Sequence, residues 1–61
     1  MRTGKRVLKK SIYSFTSDAV VEVAYRIEEL GGSVFSIVYD GSVCDIYFKV
    51  PEDLFFDVDG I

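Results

Sequence analysis

The residues able to do chemistry in this 61-residue chain are few. There is no histidine, so general acid and base roles would fall to carboxylates, and those are scattered over the helix, hairpin and tail assigned below. Cys44 is the only cysteine. It could in principle act as a nucleophile, but it falls at an inward strand position with no base near it in sequence, where a free cysteine behaves as a small core hydrophobe. Asp57-Val58-Asp59-Gly60 looks like the opening of a calcium loop. Such a loop needs further oxygen ligands downstream, and only Ile61 follows, so this segment reads as an acidic terminus. Gly31-Gly32 is not followed by the Gly-Lys-Ser pattern of a phosphate loop. The remaining small-molecule candidate is an anion site: free amides at a helix start, Thr16 and Ser17, with Arg6, Lys9 or Lys10 supplied by a neighbouring strand or subunit. Asp18 already places a negative group there, which favours simple capping. No enzyme, cofactor or metal site is expected.

Elements that could position these residues follow from periodicity. Residues 7–15, VLKKSIYSF, mix β-branched, aromatic and polar residues and read as a strand of uncertain facing, preceded by a loose arm over residues 1–5. Thr16-Ser17-Asp18 is a helix start. Val20, Val23, Ala24, Ile27 and Leu30 then recur at steps of three and four on one helical face, with Glu22, Arg26 and Glu29 opposite and Val21 and Tyr25 flanking. Gly31-Gly32 ends the helix, because glycine takes the left-handed conformation that closes a last turn.

Residues 34–39 and 43–50 are two strands, and Asp40-Gly41 between them is a hairpin signal. With those two residues as the turn, Ile37 faces Cys44 and Phe35 faces Ile46. One face then holds Phe35, Ile37, Cys44, Ile46 and Phe48 against the helix, and the other holds Val34, Val38, Val43 and Tyr47. Pro51 stops the second strand. Beyond it, Leu54, Phe55, Phe56 and Val58 lie between acids and leave three readings open: a fourth edge strand, a short turn of helix, or an arm that docks on another subunit.

The expected architecture is α+β: one helix on a three-stranded antiparallel sheet, the βαββ half of a ferredoxin-like plait, in a single domain. Residues 23–50, VAYRIEELGGSVFSIVYDGSVCDIYFKV, resemble ACT-type small-ligand regulatory modules, in which a helix ends in Gly and a small residue before a strand of alternating Ile or Val. Gly31-Gly32-Ser33-Val34 and Ile37 carry that resemblance. It departs before the helix, where Phe15-Thr16-Ser17-Asp18-Ala19 stands in place of an Asp-x-Pro-Gly-like turn, and there is no room for the second helix. What the resemblance implies is architectural: a half-plait completed by another copy of itself.

Composition points the same way. With 49% hydrophobic residues the chain should fold, yet a domain this small gains little from its core and lacks disulfides or a soft-metal site to reinforce it. Self-association is the remaining aid, and Val34, Val38, Val43, Tyr47, Phe55 and Phe56 are its expected contacts. Tyr13, Tyr25, Tyr39 and Tyr47 add amphipathic contact surface. Net charge is −3, with Arg2, Lys5, Arg6, Lys9 and Lys10 preceding all ten acids. That balance opposes nonspecific nucleic-acid binding. No apolar run approaches a membrane span, and a cytoplasmic protein with reduced Cys44 is expected. The leading functional expectation is a noncatalytic inhibitor or regulator that binds a protein target through Glu22, Tyr25, Glu28 and Glu29. The alternative is an oligomer that sequesters or senses an anionic metabolite, such as a nucleotide, between copies.

Overall fold

The computed structural model describes residues 4–61. Arg2 and the rest of residues 1–3 of the expected arm lie outside it, whereas Lys5 already belongs to the first strand. The elements are β1 (Lys5–Tyr13), α1 (Ser17–Glu29), β2 (Ser33–Asp40), β3 (Val43–Pro51) and a single 3-10 turn at Val58–Gly60. β3 lies between β1 and β2 and pairs antiparallel with both. This is the α+β, βαββ arrangement read from the sequence.

Strict alternation in β3 sets the core. Cys44, Ile46, Phe48 and Val50 are all fully buried on the inner face, and β1 contributes Leu8 and Ile12 opposite Phe48 and Cys44. Across this floor lies α1, burying Val20 and Ile27 with Val23 partly covered. Its start is capped by Thr16, whose Oγ1 accepts a hydrogen bond from the Ala19 amide at 3.1 Å. Its end is a Schellman turn: the Gly31 amide donates to the Glu28 carbonyl and the Gly32 amide to the Ile27 carbonyl, with Gly31 at φ 109°. Leu30, counted with the buried stripe, sits at the helix cap and stays exposed.

Gly32 is needed for space rather than conformation. A Cβ there would come within 2.7 Å of Ile27 Cγ2 and 3.1 Å of a Phe48 ring carbon. Gly32→Ala is therefore expected to destabilise the protein by about 1–3 kcal/mol through overpacking. A urea midpoint unchanged from wild type would refute this.

Two details of the hairpin differ from the sequence reading. The turn residues are Gly41-Ser42, one position later than expected, so Tyr39 pairs with Cys44 and Ile37 with Ile46. A β-bulge then interrupts β2 between Val34 and Ser36. The extra residue switches the sides of the strand below it. Val34 pairs with Phe48 and packs against the core, while Phe35 turns to the outer face, where Lys49 Nζ lies 5.2 Å from its ring centroid. The placement of Val34 outside and Phe35 inside is thereby corrected.

Of the three forms left open, the tail adds no fourth strand to the sheet and forms a short turn of helix only at Val58–Gly60. After Pro51 it reverses and runs back along the inner face beside α1, packing Leu54, Phe56, Val58 and Ile61 against the core of the same chain. Phe56 lies on Phe48, ring centroids 5.1 Å apart. Arg6 and Lys10 share the inner face of β1 with Leu8 and Ile12, and their long side chains reach over the tail. The Arg6 guanidinium donates to the Leu54 carbonyl at 2.7 Å and Lys10 Nζ to the Val58 carbonyl at 3.3 Å. An irregular segment has no ladder to satisfy its carbonyls, and these two cations supply donors from the neighbouring strand. The inner face thus has a two-part lid of helix and tail.

Candidate functional site

Because helix and tail both lie on one side, the other side of the sheet is bare. Period-two alternation sends Val7, Lys9, Ser11 and Tyr13 of β1 outward, together with Val43, Asp45, Tyr47 and Lys49 of β3 and Ser36, Val38 and, through the bulge, Phe35 of β2. Val7 is 55% exposed, Tyr13 73%, Phe35 53% and Val38 45%. Val43 and Tyr47, on the central strand, are partly shielded by their neighbours. Its exposed apolar side chains are interspersed with Lys9, Ser11, Ser36, Asp45 and Lys49. Its polar groups are held in place: Ser11 Oγ donates to Asp45 Oδ1 at 2.6 Å, and Lys49 is drawn over Phe35.

Of the expected self-association contacts, Val38, Val43 and Tyr47 are on this surface. Val34 and Phe56 are not, since the core of their own chain takes them up. Phe55 is 86% exposed but belongs to the tail, on the opposite side of the molecule. Tyr13, expected as amphipathic contact surface, joins Val38, Val43 and Tyr47, and Val7 and Phe35 are additions that the sequence reading did not place here. The alternation of β1 carried a signal for Val7; the bulge that turned Phe35 out had none in the pattern.

The residues expected at an anion site are dispersed. Arg6 and Lys10 are engaged by tail carbonyls on the inner face, Lys9 projects from the outer face, and Thr16 caps its own helix while Ser17 is exposed beside it. The helix residues expected to meet a protein target are all exposed. At 100° per residue, Glu22, Tyr25 and Glu29 share the solvent face with Asp18, and Glu28 lies on the flank with Val21. Beside them, where the last turns of α1 meet the tail, a cleft of about 360 Å³ is lined by Arg26, Leu30, Phe55, Phe56, Asp57 and Gly60.

The chemistry of Cys44 follows from its position. It is fully buried, and burial first, then the charge of the adjacent Asp45, push its thiol above the ordinary value. Both effects disfavour the thiolate that nucleophilic attack needs. Among the described residues, no group of three or more Cys, Asp or Glu side chains is arranged to hold a metal ion, and no helix is long and apolar enough to cross a membrane.

Comparisons with protein-family models, curated proteins and solved structures found no match. The β-α-β-β order is compatible with a ferredoxin-like half, and no family match supports the ACT-type resemblance.

Proposed function

We propose that this protein is a noncatalytic interaction module that self-associates through the outer face of its sheet and acts by binding a protein target through the exposed face of α1. The observation that carries the first part is the bare surface of Val7, Tyr13, Phe35 and Val38, left over after every other large element of the chain has gone to the inner face. A second copy is the occupant best suited to it. The open edges of the sheet are poor alternatives: β1 bears Lys5, Arg6, Lys9 and Lys10 along its length, and the bulge breaks the regular ladder of β2. Face-to-face packing needs neither edge. The target-binding part rests on Glu22, Tyr25 and Glu29 pointing away from the sheet, so that a self-associated form keeps them accessible.

The metabolite reading gains no support from this arrangement, since its cations are spread over both faces and two of them hold the tail.

Sedimentation equilibrium tests the self-association. Wild type is expected at twice the 6.9 kDa chain mass at roughly 100 µM, where an association worth more than about 5.5 kcal/mol is populated. The pair of changes Phe35→Asn and Val38→Asn should yield folded monomer at the same concentration. A wild-type monomer, or a dimer indifferent to both changes, rejects the surface.

A further inference from the structure

The outer face is electrically lopsided along its strands. Lys5 and Lys49 lie toward one end, Lys9 pairs with Tyr47 at the middle, and Asp45 and Asp40 lie toward the hairpin end. On β3 the pattern is symmetric about a single residue: Lys49 is two positions to one side of Tyr47 and Asp45 two positions to the other. Both charges are already oriented, Asp45 by the Ser11 hydroxyl and Lys49 by the Phe35 ring.

Resting on self-association through this face, we infer that the second copy lies antiparallel to the first, about a twofold axis that passes across the strands at Tyr47. That operation sets Lys49 of each copy over Asp45 of the other, two identical ion pairs flanking a central Tyr47 contact. It also carries Lys5 toward the Tyr13 end of the opposing β1, where a cation meets an aromatic face. The other face-to-face twofold, with its axis along the strands, sets Lys49 against Lys49 and Asp45 against Asp45, a like-charge juxtaposition that works against association. Charge therefore selects one orientation, while the valines and aromatics around it supply the adhesion. In the resulting sandwich the two helices point outward on opposite sides. The assembly is divalent, and each Glu22-Tyr25-Glu29 face is presented separately.

Reciprocal charge changes test the orientation. Asp45→Lys and Lys49→Asp, each alone, convert two attractive contacts into two repulsive ones and should weaken dimerisation about tenfold or more at low salt. The double variant restores opposite charges and should return to within about threefold of wild type. Circular dichroism checks that each variant is folded.

If a variant does not fold, Lys5→Cys in the otherwise native chain carries a spin label, buried Cys44 escaping modification. Antiparallel copies hold the two labels roughly 25–30 Å apart, eight residues of strand at about 3.4 Å each, whereas the parallel twofold brings them within about 15 Å. A dimer unmoved by either charge change, or one with close labels, overturns the orientation and leaves self-association standing. A wild-type monomer overturns the underlying reading.

Discussion

Removal of residues 53–61 is expected to leave the rest of the chain unfolded. Those residues contain the second half of the lid over the sheet, and without them Phe48 and Val50, both fully buried, face water on the side that Leu54, Phe56, Val58 and Ile61 now cover. Arg6 and Lys10 lose their carbonyl partners at the same time. A core in a domain this small rarely supplies more than about 3–5 kcal/mol of net stability. Loss of one buried phenylalanine costs about as much, so the truncated chain has no margin.

The two adjacent phenylalanines provide the internal control. Phe56→Ala should cost about 3–5 kcal/mol because its ring packs on Phe48, and Phe55→Ala should stay within about 0.5 kcal/mol because its ring is in solvent. Far-UV circular dichroism and urea titration read all three variants. A cooperative transition in the truncated chain, or equal effects of the two alanines, would show that the tail is not part of the core.

Phe48→Ala is expected to be as damaging as any single substitution in the sheet. Its side chain is fully buried on the central strand, flanked by Leu8 on β1 and Val34 on β2, with Phe56 of the tail above it and the Gly32 backbone against its ring. Every layer of the molecule meets at this residue. Truncation should cost about 3–5 kcal/mol, leaving a largely unfolded population without denaturant, while Phe48→Leu retains enough volume to fold with reduced stability. Native-like near-UV circular dichroism and an unshifted urea midpoint for Phe48→Ala would contradict the central position assigned to it.

Much of this arrangement was legible because local rules agreed with one another. Strict alternation in VCDIYFKV admits one buried set, and the Thr16 cap and Gly31-Gly32 stop mark the helix within a residue of its observed limits. The order of elements then left few ways to form a sheet. The misplaced residues have a common cause, which is that their positions depend on long-range packing. Nothing in Ser33-Val34-Phe35-Ser36 marks a bulge, and the consequence is an exchange of Val34 and Phe35 between faces. EDLFFDVDGI has neither a helical nor a strand period, because an irregular segment answers only to the surface beneath it. Arg6 and Lys10 looked like candidates for binding an external anion, yet they serve backbone carbonyls 48 residues further along the chain. Of the candidate surface, the part contributed by β3, with Val38 of β2, followed from alternation, and the part contributed by β1 required knowing that Leu8 and Ile12 face inward.

That clasp between β1 and the tail also governs the order of assembly. The β2–β3 hairpin closes over two residues, whereas β1 meets β3 across 30 to 46 residues, and the clasp itself spans 48. Closing a longer loop costs more entropy before any contact rewards it, so the hairpin and helix are expected to form first, with the first and last segments joining afterwards. The chain is then like a purse drawn shut by its two strings: hairpins and helices in general form on the order of microseconds, and the slow step expected here is the meeting of the distant ends.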